Sequence, residues 1–401
     1  MINIAVLGFG VVGSGTVKLL HDNAGSIRRR CGEDVRVKKI LDLRDFPDSP
    51  YASLITHDFS EIVNDPSISV AAEMIGGIRP AFDFTLALLR AGKSVVTSNK
   101  ELVAEHGTEL LAEAEKHGVF YCFEASVGGG IPVIRPLKED LGGTNAIERI
   151  DGILNGTTNY ILTEMKEKGI SFDTALRQAQ QNGYAEADPR ADVEGLDACR
   201  KIAILGAVAF GRMLPVDRIP TEGITALRAA DEAMAGRLGF TVKLIATARR
   251  TGEGKIAASV RPRLVPRDNP LSSVSGVFNG VLVKGNYVGD VMFYGRGAGA
   301  EPTASAVASD IVNIAEKGKG NRFSWTDAGE DEIFDESTLS RRYYLACPAA
   351  AAPASLPAER SLTENGTVAA ITLPLKENEI LALKQEIRSR CGEECRVLEV
   401  L

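Results

Sequence analysis

"INIAVLGFGVVGSGTVKLLHDNAG", residues 2–25, decides the fold. A short apolar run, INIAVL, is followed at once by Gly8, Gly10 and Gly13, and then by a stretch with helical spacing that stops at Gly25. Strand, glycine turn and helix form the context in which GxGxxG binds a dinucleotide. Gly8 makes the tight turn, Gly10 lets a pyrophosphate approach the backbone, and Gly13 lets helix and strand pack closely. The helix N-terminus adds N–H groups and a positive dipole end. Phe9, Val11 and Val12 lie inside the same turn and are counted with the glycines as cofactor-binding.

Working outward, strand and helix patterns keep alternating through VRVKKILDLRD, SVAAEMIG, AFDFTLALLRAG, KSVVTSN, ELVAEHGTELLAEAEKHG and VFYCFEAS. Repeated units of this length predict an α/β, Rossmann-type doubly wound parallel sheet. The end of its second strand selects the cofactor: an acid binds the ribose hydroxyls of NAD, and an arginine accommodates the extra phosphate of NADP. Asp42 and Arg44 stand two residues apart, so NAD and NADP each have a candidate.

Texture divides the rest. Residues 1–134 together with 299–320 are expected to form the dinucleotide domain, the helix ASAVASDIVNIAEKG returning to it. Residues 135–298, with longer mixed segments and then alternating ones, are expected to be an α+β substrate-binding and dimerisation domain. The polar, acidic stretch 321–340 is expected to be a linker, and CPAAAAPASLPAER a loose connection. Residues 341–401 offer three strands and a helix, a small α+β module short of one helix and, on a stricter count, one strand. The echo between IRRRCGEDVRV (27–37) and IRSRCGEECRV (387–397) reflects shared helix-to-strand grammar.

Composition narrows the function. The chain has 401 residues, 44% hydrophobic and 25% charged, which is ordinary globular usage and excludes a disordered or fibrous protein. A net charge of -7 leaves no field for phosphate backbones or anionic membranes, so no nucleic-acid or membrane partner is expected. The N-terminus lacks the positive start of a signal peptide, and IAILGAVAF is too short to span a bilayer, so a cytoplasmic location is expected. Six scattered cysteines without a CxxC pair predict free buried thiols.

Hydride transfer between an alcohol and a carbonyl needs a bound nicotinamide and a group that handles the hydroxyl proton. All four histidines fall within the first 120 residues, away from the second domain, so lysine is the better candidate. Lys100 follows SVVTSN at the C-terminal edge of the parallel sheet, where ligands of this architecture bind; Thr97 shares that turn. Lys201 lies in a helix expected from about Asp192 to Gly211, with Asp197 four residues earlier on its face. By spacing alone that pair is as good a surface ion pair as a catalytic couple, but the flanks LDACRKIAILGAVAF are too apolar for a solvated helix.

Acids crowd ahead of that lysine in GYAEADPRADVEGLDACRK, 183–201. A substrate ammonium requires carboxylates, and a lysine acting as general acid requires an environment that tunes it. Asp192 serves equally as a helix N-cap and Asp188, before Pro189, as a turn residue; Glu194 has no assigned role. In EASVGGGIP, Glu124 precedes a glycine-rich loop whose carbonyls could turn inward around a hard monovalent cation.

The series GFGVVG, VVTSNKELVA, EASVGGGIPVI, GILNGTTNYIL, GYAEADPRADVEGLDACRK and GRGAGAEPTA, in this order over about residues 1–320, resembles homoserine dehydrogenase. The resemblance implies reversible NAD(P)-dependent interconversion of L-homoserine and L-aspartate 4-semialdehyde, toward threonine, methionine and isoleucine, in a homodimer or higher homo-oligomer. It implies Lys201 as proton donor with Lys100 assisting, Glu186 and Asp197 binding the amino acid, Asp192 shaping the pocket, and Gly156 and Thr157 close to the substrate. It implies Gly183 and Gly299 near the cofactor, and sodium held by Glu124 with carbonyls of Val127, Gly129 and Ile131. The tail resembles an ACT regulatory domain only in part, so threonine inhibition is not expected. No aspartate kinase segment precedes the glycine fingerprint, so a bifunctional enzyme is not expected either. Two rivals are a dehydrogenase for a different amino-acid semialdehyde and a non-catalytic NAD(P)-binding sensor; the presence of both lysines argues against the sensor.

Overall fold

The computed structural model describes residues 1–401 except 319, 321, 322, 393 and 394. The start of the expected linker and part of the 387–397 echo lie outside the described residues. Strands β1 (Ile2–Leu7), β2 (Val35–Leu41), β3 (Ile55–Thr56), β4 (Ile68–Glu73), β5 (Ser94–Thr97) and β6 (Tyr121–Cys122) build one sheet in the order β3-β2-β1-β4-β5-β6. All its pairings are parallel, as in a dinucleotide-binding sheet. Helices α1 (Val11–Asp22), α2 (Ala24–Cys31), α3 (Ser60–Val63), α4 (Ala81–Arg90) and α5 (Lys100–Lys116) connect them.

The glycine turn is built for close approach. A Cβ on Gly13 would fall 2.0 Å from the Gly8 carbonyl oxygen, so only glycine lets α1 start this close to β1. Gly10 faces the other way, with nothing within 4 Å of a built Cβ, and leaves the helix N-terminus open.

The second half contains β7 (Ile147–Ile153), α6 (Gly156–Lys168), α7 (Phe172–Gln181), α8 (Arg190–Val193), α9 (Leu196–Phe210), β8 (Arg212–Met213), α10 (Ala229–Leu238), β9 (Phe240–Arg250), β10 (Ile256–Pro266), β11 (Phe278–Gly285) and β12 (Gly289–Arg296). The helix expected from Asp192 is broken: Gly195, at φ 85°, separates α8 from α9 and occupies the α9 N-cap, so Asp192 caps nothing. Helix α11 (Ala300–Lys317) packs on α1, sharing one core through Val17, Val307 and Ile311.

Residues 323–340, with β13 (Thr326–Asp327), are packed down rather than loose. Trp325 is buried against Phe123 and donates its indole N–H to Thr108 at 3.0 Å. The tail holds β14 (Tyr343–Pro348), β15 (Ala358–Glu364), β16 (Thr367–Thr372), α12 (Glu377–Cys391) and β17 (Arg396–Val400). Strand β15 corrects two expectations: part of the supposed loose connection is a strand, and no strand is missing. It escaped because its face alternates mostly polar side chains, held by pairing with β16 and not by burial. The tail strands extend the second sheet, in the order β12-β11-β7-β9-β10-β17-β14-β16-β15, through two parallel residue pairs between β10 and β17. That seam is pinned by Arg263, 1% exposed, whose Nε donates to Glu399 at 3.1 Å.

Candidate functional site

Chemistry collects where the C-terminal edge of the parallel sheet meets α6 and α9. At the end of β5, Thr97 is fully buried; its hydroxyl donates to Glu73 at 2.6 Å and accepts from the Asn99 N–H. Asn99 in turn caps α5, accepting from the Leu102 N–H. These contacts fix Lys100 as the first helical residue, and its Nζ reaches across to Asp197 Oδ1 at 2.9 Å.

Asp197, in the first turn of α9 and 5% exposed, is the centre of the cluster. Its other oxygen, Oδ2, accepts from Lys201 Nζ at 2.7 Å and from the Asn155 side-chain amide at 2.9 Å. Burial by itself would push the Asp197 carboxyl up, but the two ammonium groups hold it well below the usual carboxylate range. Lys100 feels the reciprocal effect: burial lowers it, and the Asp197 charge more than offsets this, leaving it raised. Lys201 is buried and also donates to the Leu154 carbonyl at 2.8 Å, so two of its three donors are engaged. The surface-pair alternative for Lys201 is thereby removed.

Asn155, which the motif reading passed over for its neighbours Gly156 and Thr157, organises the rest. Its Oδ1 caps α6 on the Thr158 N–H at 2.8 Å, while its Nδ2 ties Asp192 at 2.7 Å to Asp197. Asparagine ahead of a GTTN helix start was the available signal. Asp192 is half-buried, and burial pushes its carboxyl up. Gly156 opens α6, and the Thr157 hydroxyl donates to the Tyr184 carbonyl at 2.6 Å, linking α6 to the acidic stretch. Glu186 and Glu194 are exposed, and Asp188 forms an exposed turn pair with Arg190. The structure does not bring the Glu186 side chain into the cluster.

On the other side of the parallel sheet edge a cavity of about 440 Å³ is lined by Gly8, Gly10, Asp42, Arg44, Met74 and Pro80, among others. Asp42 accepts from the Phe9 N–H at 2.8 Å and from Nε and Nη2 of Arg44, which together hold its carboxyl down at about 2. The Arg44 guanidinium stays 64% exposed, resting 5.1 Å over the Phe46 ring. Val11 is exposed at the helix N-terminus and Val12 half-buried behind it. Gly183, at φ 73°, and Gly299, at φ 118°, begin turns at the ends of α7 and before α11.

Glu124 is 3% exposed, and its carboxylate accepts three backbone N–H groups, from Val133, Ile134 and Arg135. Burial raises it and these bonds counter the rise. Only Arg135 bonds Oε2, which keeps a lone pair. Among the described residues nothing donates to the carbonyls of Val127, Gly129 or Ile131.

Two family models match in tandem: the homoserine dehydrogenase NAD-binding domain over residues 8–124, and homoserine dehydrogenase over residues 132–312. The homoserine dehydrogenase of Synechocystis sp. is 49% identical over 321 residues, covering 78% of this chain and 73% of its own. The chain belongs to the homoserine dehydrogenase family. The Bacillus subtilis homoserine dehydrogenase is 43% identical over 78% of this chain and 72% of its own. Among solved structures, a homoserine dehydrogenase from Thiobacillus denitrificans matches with a TM-score of 0.88 and 36% identity, covering 100% of this chain and 98% of that one. A hyperthermophilic archaeal homoserine dehydrogenase in complex with NADPH matches at 0.67 and 30%, covering 79% of this chain and 98% of that one. As a homoserine dehydrogenase family member, the chain is an NAD(P)-dependent oxidoreductase acting on a CH–OH group. No helix among the described residues is long and apolar enough to cross a membrane.

Proposed function

We propose that the reversible NAD(P)-dependent reduction of L-aspartate 4-semialdehyde to L-homoserine runs at the Asp197 cluster, with Lys201 as the proton donor. The observation that carries this is one buried carboxylate bridging two lysines, Lys100 from the dinucleotide-binding half and Lys201 from the other. A reduced nicotinamide cofactor, held at the Gly8–Gly13 turn, would supply the hydride for the aldehyde carbon. Lys201 gives a proton to the carbonyl oxygen from the Nζ donor left free by Asp197 and Leu154, and retrieves it in the oxidative direction. Asp197 fixes the direction of the Lys201 ammonium. Lys100 shares that anion and assists beside the nicotinamide.

Geometry supports a revised division of the acids. Both Asp197 oxygens are taken by ammonium groups, whereas the Asp192 carboxylate has one protein donor, Asn155. Asp192 is therefore the stronger partner for the substrate ammonium, with Glu186 adding to it if the 183–188 turn folds inward. Gly156 and Thr157 line the α6 N-terminus, whose Thr157 N–H is presented to the substrate carboxylate. Gly183 and Gly299 flank the cofactor together with Gly8, Phe9, Gly10, Val11, Val12, Gly13 and Thr97.

The cofactor reading favours NADP. Asp42 is saturated by Phe9 and Arg44, so the group it offers a ribose is the exposed Arg44 guanidinium, which suits a 2′-phosphate. A sodium ion fits the Glu124 loop: the carbonyls of Val127, Gly129 and Ile131 and the spare Glu124 lone pair are oxygen donors of the type a hard cation takes. The tail, with strands ordered β17-β14-β16-β15 and one helix, supports a partial ACT-like module in which a short turn at 349–351 replaces a helix. A homodimer remains part of this reading, since β12 is an unpaired sheet edge carrying exposed Tyr294; sedimentation as a monomer at micromolar concentration would remove it.

The deciding assay is aspartate semialdehyde reduction, run separately with NADH and NADPH. Lys201→Ala should lose about 100- to 10,000-fold in turnover while still binding cofactor. Near wild-type kcat in that variant would remove Lys201 from the mechanism.

A further inference from the structure

Two glycine positions, Gly156 and Gly297, close on one buried side chain outside the Asp197 cluster. Asn279, on β11, is fully buried, and neither its Oδ1 nor its Nδ2 has a hydrogen-bond partner in the protein. A Cβ built on Gly297 would fall 2.0–2.4 Å from the Asn279 amide atoms, so the cofactor-side loop 297–299 lies directly on this group. A Cβ on Gly156 would lie 3.6 Å from Asn279 Oδ1, which brings in the start of α6. The glycine-rich loop after Glu124 also meets the 297–299 loop, with a Cβ built on Gly129 falling 2.6 Å from the Gly297 carbonyl and the Gly130 N–H donating to the Arg296 carbonyl at 3.1 Å.

The side chain is held while its surroundings are glycine. The preceding turn is stapled by Asn159, whose Nδ2 donates to the carbonyls of Gly276 and Phe278 and whose Oδ1 accepts from buried Lys243. Asn279 itself pairs in register with Gly295 of β12. Its hydrogen-bonding complement is also nearby and unused: among the described residues the Gly156 N–H and the Gly297 carbonyl have no partner. A primary amide offers an acceptor oxygen and a donor nitrogen, the two kinds of group that match this pair. If the position served packing alone, an apolar side chain of equal size would serve better, because a buried unpaired amide is destabilising.

We propose that Asn279 is a positioning residue for hydride transfer: once both ligands are seated, its Oδ1 accepts from the Gly156 N–H and its Nδ2 donates to the Gly297 carbonyl, coupling the substrate loop to the cofactor loop. The inference rests on the reading that places substrate at Gly156 and cofactor at Gly299. Each bond needs its own loop to move onto the amide: the start of α6 for the Gly156 N–H, and the 297–299 loop for the Gly297 carbonyl.

The test compares Asn279→Leu with Asn279→Asp in the full chain. Asn279→Leu removes both polar atoms at nearly constant volume; it should melt at the wild-type temperature or above and bind NADPH alone with unchanged affinity. Its kcat should fall about 10- to 100-fold, the loss of two bonds made only when both ligands are bound. Tightening of homoserine by oxidised cofactor, measured by titration calorimetry on the wild type, should disappear. Asn279→Asp keeps the acceptor and should fall between the two in kcat. Turnover of Asn279→Leu within about threefold of wild type would overturn the proposal, as would a lowered melting temperature with unchanged kcat, which is the mark of a packing residue. A wild type that turns over a different semialdehyde would retire the substrate assignment alone, because the coupling is then read with the pair that reacts.

Discussion

Asp197→Asn removes one charge and almost no volume, and so isolates what the central carboxylate contributes. In the wild type that carboxylate receives Lys201 at 2.7 Å, Lys100 at 2.9 Å and the Asn155 amide at 2.9 Å. Without the charge, two ammonium groups face each other across a neutral amide. The Lys100 side chain is 37% exposed and can turn into water, but that of Lys201 is 10% exposed and tied to the Leu154 carbonyl. The penalty therefore falls on Lys201. Stripping one partner from a buried pair costs about 3–5 kcal/mol, and the escape of Lys100 places this case near the lower end, about 3 kcal/mol. Urea unfolding followed across pH reads it. Asp197 is held below the usual carboxylate range, so its contribution is complete above the unfolded value near 4 and is lost as pH falls through the folded value. The stability gap between wild type and variant should thus be flat from about pH 6 to 8 and close on acidification. Activity gives a second reading. Asp197 is one of the two anchors on the Lys201 ammonium, so its loss should lower kcat for semialdehyde reduction by up to about 100-fold. Unfolding within about 0.5 kcal/mol of wild type, with unchanged kcat, would refute the idea that Asp197 holds the lysines in place.

Gly10→Ala should keep its melting temperature, since nothing lies within 4 Å of the new methyl, yet bind cofactor more weakly; Gly13→Ala should lose stability, because its methyl meets the Gly8 carbonyl oxygen. Melting with and without NADPH separates the two. Arg44→Ala should raise the KM for NADPH about 10- to 100-fold, the value of charge-assisted bonds to a phosphate, and leave the KM for NADH nearly unchanged; equal losses with both cofactors would exclude a 2′-phosphate contact. Arg263→Ala leaves Glu399 paired with Arg261 and Arg341, and should cost about 1.5–3 kcal/mol for the lost charge-assisted bond while exposing the tail strands to protease before the rest of the chain. Uniform proteolysis would show that the seam does not hold the tail.

Local chemistry alone determined much of this protein. GFGVVG between an apolar run and a helical run specifies a parallel dinucleotide-binding sheet, because Gly8 and Gly13 sit where a side chain would meet backbone and Gly10 leaves the helix N-terminus open. The four-residue spacing of Asp197 and Lys201 and their apolar flanks likewise made a buried couple legible. Tertiary structure decided what distance along the chain conceals. Asp197 binds Lys100, 97 positions away in sequence, only because α5 and α9 meet, and Asn155 joins the acids because the start of α6 packs against α8 and its side chain reaches the first turn of α9. Strand β15 was hidden because backbone pairing with β16 holds a polar edge that no hydrophobic pattern marks. The Asp42 and Arg44 alternative stayed open for the same reason: both residues are present in sequence, but only the fold brings the Phe9 N–H onto Asp42 and leaves the guanidinium exposed. Spacing reports which face of an element a side chain occupies; only packing between elements reports which charges share a dielectric and which donors are already taken.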